Sequence, residues 1–197
     1  MRWILYLLVF CCCTALSGDH SKPAHRLPGS SHCDVFKGDG LQMVRIPNLE
    51  NAWQIQNSCG FPSAEYVGFV VQLFYKKWKY EFGDKDRRVY KNLNTLMIEW
   101  SKERKWIEAT VWSIKGKATK GYVSGMVLTP SYIWVWEERF QQLGATALVH
   151  ELMHSAIWAQ MGAHGDPDHE GREFEGWTKR HTNFIREINT SLAQLGI

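Results

Sequence analysis

Along residues 63–82 the apolar side chains Val67, Val70, Val71, Phe74 and Trp78 recur at steps of three and four, which predicts a helix with Ser63 as its N-cap. Val89, Leu93, Leu96 and Trp100 extend the same rhythm and predict a second helix over 86–105. The period then changes. IEATVWSI (107–114) and YVSGMVLT (122–129) are rich in β-branched residues and flank KGKATKG, so they predict a hairpin. After a turn at Pro130, YIWVWE reads as a strand or as the entry to a helix. A third helix is predicted over 137–161, where Phe140, Leu143, Ala147, His150, His154, Ile157 and Met161 fall on one stripe. Gly144 lowers helix propensity in its first turns by about 1 kcal/mol against alanine. A last helix is predicted over 170–195, burying Phe174, Trp177, Phe184, Ile188 and Leu192. Helices segregated from a hairpin point to an α+β domain, with helices packed on a small, mostly antiparallel sheet.

Residues 18–60 carry no sustained period and are rich in Gly, Pro, Ser, Asn and His, so they read as an N-terminal arm or irregular subdomain ahead of a domain at 61–197. His20, His25 and His32 lie in this leader and read as solvated. The chain has no internal repeat, low-complexity tract or C-x-x-C pair.

Composition narrows the class. A chain of 197 residues with 45% hydrophobic content and ten tryptophans can bury one real core. The formal charge of +3 comes from Lys and Arg interleaved with Glu, so no specific nucleic-acid partner is expected. Residues 1–17 have a lone Arg2, an apolar run and then small residues, the layout of a secretory signal cleaved before Gly18. The run falls short of the about 20 apolar residues that a spanning helix needs. A lipidated Cys11, Cys12 or Cys13 is the rival reading, and with it a membrane anchor. Cleavage leaves Cys33 and Cys59, an even pair that most simply forms a disulfide in an oxidising compartment.

Chemistry concentrates in HELMHSAIWAQMGAHGDPDHEG (150–171), which holds four of the eight histidines. HELMH matches H-E-x-x-H on a predicted helix, the context that motif requires. Residues four apart lie about 40° apart around a helix and about 6 Å along it, so His150 and His154 can reach one cation. Glu151, about 100° away, can address a water instead. Catalytic zinc takes three protein ligands and keeps one open position. The metzincin extension fails, because Ile157 and Gln160 stand where Gly and His belong. The candidates for the third ligand are His164, Asp166, Asp168, His169, Glu173 and Glu175. His169 is preferred, since Asp168 or Glu170 can orient its second nitrogen. As a calcium loop, Asp166, Asp168, Glu170 and Gly171 fit the early positions, but Trp177 occupies the place of the bidentate acid. His181 reads as a hydrogen-bonded core histidine.

In these motifs the chain resembles the SprT-like zinc metalloproteases. The likeness runs through GYVSGMVLTPSYIWVW, LVHELMH and DHEGREFEGWTKRHTNFI, roughly residues 93–189, with one residue more than the usual His-Gly-x-x-Phe spacing. It implies a zincin-like single domain in which His150, His154 and His169 hold Zn2+ and Glu151 is the general base. The expected function is a secreted or periplasmic zinc-dependent peptidase acting on protein or peptide substrates. A non-catalytic zinc-binding envelope or interaction protein, and a cell-wall peptide hydrolase, are the alternatives.

Overall fold

Ser63 opens the first helix as its sequence suggests: its backbone is extended, and its hydroxyl accepts the Tyr66 N–H at 3.2 Å. The computed structural model describes residues 41–57, 62–101, 105–109, 119–123, 125–136, 146–162 and 177–195. The expected signal segment, the Cys33–Cys59 pair, the start of the third helix before Thr146 and the segment carrying His164 and His169 lie outside the described residues. Helix α1 (Ala64–Glu81) buries Val67, Val70, Val71, Phe74 and Trp78, the stripe read from the sequence.

The second expected helix is corrected. Helix α2 (Arg88–Leu93) stops at Asn94, and β3 (Met97–Ser101) follows. The side chains of Asn94 and Thr95 donate back to the carbonyls of Tyr90 and Lys91, which competes with helix propagation. Ile98 and Trp100 then alternate inward as strand residues. The spacing Leu93, Leu96, Trp100 thus satisfies a helical template while spanning two elements.

Residues read as an arm without a period supply β1 (Leu41–Arg45) and β2 (Trp53–Asn57), which pair antiparallel. In β2 the polarity is inverted. Gln54 and Gln56 are buried, tied to each other, to the Pro62 carbonyl and to the Trp100 indole N–H, so no apolar alternation marks the inner face.

Five strands form one sheet in the order β1-β2-β3-β7-β6, where β6 is Gly125–Thr129 and β7 is Tyr132–Trp136. The sheet is mixed, not mostly antiparallel: β2–β3 and β3–β7 are parallel, and β1–β2 and β6–β7 antiparallel. A parallel neighbour needs a long crossover, and α1 and α2 supply it between β2 and β3. The hairpin is shifted from the expected one: β4 (Lys105–Ala109) pairs with β5 (Thr119–Val123) as a separate two-stranded sheet, and Thr119, Lys120 and Gly121 of the expected turn lie in a strand. Its second strand ends at Val123, and Gly125 begins β6, so YVSGMVLT serves two sheets. YIWVWE is strand β7.

One face of the large sheet, through Ile98, Trp100, Val127, Ile133 and Val135, joins the core with the helices. Helix α3 (Thr146–Met161) packs on β6, β7, α1, α2 and the last helix, α4 (Lys179–Gln194). From Leu148 to Ile157 every residue but His150 is buried. Met161, expected on that stripe, is exposed, because the helix has left the core and terminates at Gly162 with φ +74°.

Helix α4 begins at Lys179 and not near Glu170. Thr178 is extended, and its backbone N–H donates to His181 Nδ1 at 3.1 Å, a capping box with histidine in the third position. The His181 ring stacks on Phe82 at 4.4 Å between centroids, and Phe184 meets Phe74 edge-on at 5.5 Å. Arg180 bridges the same corner by binding the Glu81 carboxylate and carbonyl. Burial, with the Arg180 charge beside it, lowers the His181 pKa from 6.5 to about 4. Only a neutral ring can accept the Thr178 N–H.

The folded pKa lies below the unfolded value, so between about 4 and 6.5 the unfolded chain binds more protons. Stability therefore falls as pH drops through that window, by less than about 3 kcal/mol because the ring is partly exposed. His181→Gln keeps a cap acceptor and removes the titration. Urea unfolding from pH 7 to 4 should show a smaller loss in that variant, and equal losses would refute this role.

Candidate metal centre

Helix α3 carries HELMH through the most buried part of the fold. The imidazoles of His150 and His154 stand 5.0 Å apart between centroids, at 72° to one another. At Zn–N distances near 2.0–2.1 Å and a tetrahedral angle, two imidazoles that share an ion have centroids roughly 5 Å apart. The pair therefore fits two corners of such a site. Among the described residues no group of three or more His, Cys, Asp or Glu side chains gathers to hold an ion. His169, His164, Asp166, Asp168, Glu170, Glu173 and Glu175 lie outside the described residues.

Two residues that the sequence reading left as ordinary structure complete the surroundings. Trp177 is buried and packs on both rings, at 5.4 Å from His150 and 4.6 Å from His154. Its indole N–H donates to Thr182 Oγ1 at 3.0 Å, which fixes the ring to the first turn of α4. From the sequence it read only as a buried residue of the last helix, and nothing local marked this contact. Gly125, the first residue of β6, lies against Glu151: a Cβ built there would stand 2.5 Å from Oε1 and 2.8 Å from Cγ and Cδ. A glycine in a β-rich run was the available signal for such a close approach.

Glu151 is 6% exposed, and desolvation by burial pushes its carboxyl up to about 8 in the metal-free chain. A cation on the neighbouring imidazoles favours the ionised form and opposes that shift. His181 belongs to the α1–α4 corner.

Hydrogen bonds behind the site fix α3 against the sheet. Ser155 Oγ donates to the Pro130 carbonyl at 2.6 Å, and Asn92 Nδ2 donates to the same carbonyl at 2.8 Å and to Ser155 Oγ at 2.9 Å. The turn between β6 and β7 is thereby tied to the residue after His154. Farther along, Trp78 Nε1 donates to Gln160 Oε1 at 3.1 Å.

Comparison with protein families, with curated proteins and with solved structures finds no match for this chain.

Trp177→Ala should cost about 3–5 kcal/mol, the usual range for emptying a large aromatic site, and Trp177→Phe clearly less. Denaturant unfolding of the metal-free protein measures both. A loss under about 1 kcal/mol for the alanine variant would show that the indole does not buttress the histidines.

Proposed function

We propose that this chain is a zinc-dependent metallopeptidase of the zincin type, similar to the SprT-like proteins, that hydrolyses peptide bonds in protein or peptide substrates. His150, His154 and His169 would hold Zn2+, which when bound polarises a scissile carbonyl and acidifies water. Glu151 takes the proton of the attacking water on its carboxylate and delivers it to the departing amine. Trp177 holds the two helical imidazoles in orientation.

Strand β6 ends the five-stranded sheet among the described residues, so its outer backbone edge suits an extended peptide. Gly125 brings that strand against Glu151, which sets the base beside the edge. The reading rests on one observation: two imidazoles at the separation a shared ion requires, on the same buried helix as a carboxyl pressed against a sheet edge. A purely structural zinc site has no use for Glu151, whose burial is unfavourable without a role. The secretory pattern of residues 1–17 supports a secreted or periplasmic location, where Cys33 and Cys59 would pair. Among the described residues no helix is long and apolar enough to cross a membrane.

Purified protein should contain one zinc per chain and digest casein, and a chelator should abolish digestion. His154→Ala and His169→Ala should lose the metal, while His164→Ala should keep it. Glu151→Gln should keep zinc and lower kcat by about a hundredfold or more. Metal analysis with the casein assay decides each point: zinc lost from only the His164 variant reassigns the third ligand, and undiminished turnover in Glu151→Gln removes the base.

A further inference from the structure

Gly125 does more than pass a strand across the site. Its φ lies outside the left-handed region, so nothing in its backbone conformation calls for glycine. It pairs with Val135 in regular antiparallel register, on the face of the sheet that meets α3. The nearest obstacle that a side chain at this position would meet is Glu151. Three of its atoms, Cγ, Cδ and Oε1, lie within 2.8 Å of where a Cβ would stand. Real Cβ contacts are essentially never so short, and the obstruction reaches down the side chain to Cγ, so rotating the carboxylate alone does not relieve it. Glu151 is nearly fully buried, which leaves the displaced group little room.

We propose that Gly125 is a positioning residue for the reaction: its missing side chain leaves a notch in edge strand β6 that seats the Glu151 side chain and fixes the carboxylate at the strand edge. The catalytic part of this inference rests on the proposed peptidase function; the seating itself does not. A general base must sit within hydrogen-bond reach of the proton it removes, and a displacement of about 1 Å is enough to cost on the order of a hundredfold in rate. The notch is therefore a constraint on kcat. It contributes nothing to holding the histidines, which Trp177 and the helix itself orient.

Two measurements test it. The first is a double-mutant cycle on metal-free protein, comparing thermal unfolding of wild type, Gly125→Ala, Glu151→Ala and the double variant. Gly125→Ala should lower the midpoint by roughly 5 °C when Glu151 is present, and far less when residue 151 is alanine. The second is steady-state hydrolysis by the zinc-loaded Gly125→Ala protein. Zinc content and KM should stay at the wild-type level while kcat falls on the order of tenfold or more. Equal costs of Gly125→Ala in both backgrounds, or a kcat within twofold of wild type, overturn the inference. A wild-type chain that holds no zinc and cleaves nothing instead overturns the peptidase reading, and the cycle still decides whether Gly125 seats Glu151.

Discussion

A carboxyl group buried in the middle of an apolar helix is the constraint around which this structure is arranged. Between Leu148 and Ile157, α3 has almost no solvent-facing side, yet Glu151 and His154 occupy two of its buried positions. Ionising an isolated carboxyl there is strongly unfavourable, and burial pushes Glu151 up to about 8. Replacing the acid with a hydrocarbon would fit the surroundings better. Its presence makes sense if a positive charge arrives next to it, and the adjacent imidazoles provide the donors that would bring one. Folding and cation binding are then coupled, since an ion that favours the charged form offsets a penalty the empty fold carries.

Seating that carboxyl sets demands on distant parts of the chain. The β6 backbone must come close enough that glycine alone fits, so the β6–β7 pair needs a fixed height over α3. The Pro130 carbonyl, accepting from both Asn92 and Ser155, supplies that height, and Asn92 links it to α2. At the other side, Trp177 meets the imidazoles because α4 starts where Thr178 and His181 cap it. The Arg180–Glu81 bridge and the Phe82–His181 stack hold that start against α1. These contacts surround the two imidazoles and the carboxyl with packed and hydrogen-bonded neighbours, the support that a functional site needs to hold its geometry.

The parts legible in the sequence were those where side-chain period and burial coincide. Helix α1 showed its stripe and its Ser63 cap, and α3 its end before Gly162. HELMH announced the two imidazoles because an i, i+4 pair on a helix is a geometric statement in itself. Elements whose inner face is polar were hidden. Strand β2 turns Gln54 and Gln56 inward, so its apolar residues Trp53 and Ile55 alternate on the wrong face for a core. Strand β3 was hidden for another reason, since Leu93, Leu96 and Trp100 copy a helical rhythm across the Asn94 turn. The parallel joins in the sheet depend on which strands become neighbours, which no local pattern encodes. Trp177 acts through contacts with residues far away in the chain, of which a single sequence carries no mark, and Gly125 was marked only as a glycine inside a β-rich run.

Chain geometry bears on the third ligand as well. Gly162 lies eight residues beyond His154, about 12 Å farther along the helix axis. His164 is two residues past that point, and two residues extend at most about 7 Å. Its backbone alone therefore falls short of the level of His154, and the side chain would have to close the remaining distance. His169 has seven residues of chain from Gly162 and eight to Trp177, whose ring already rests on both imidazoles. By length alone His169, Glu173 and Glu175 all come within reach of an ion held by His150 and His154.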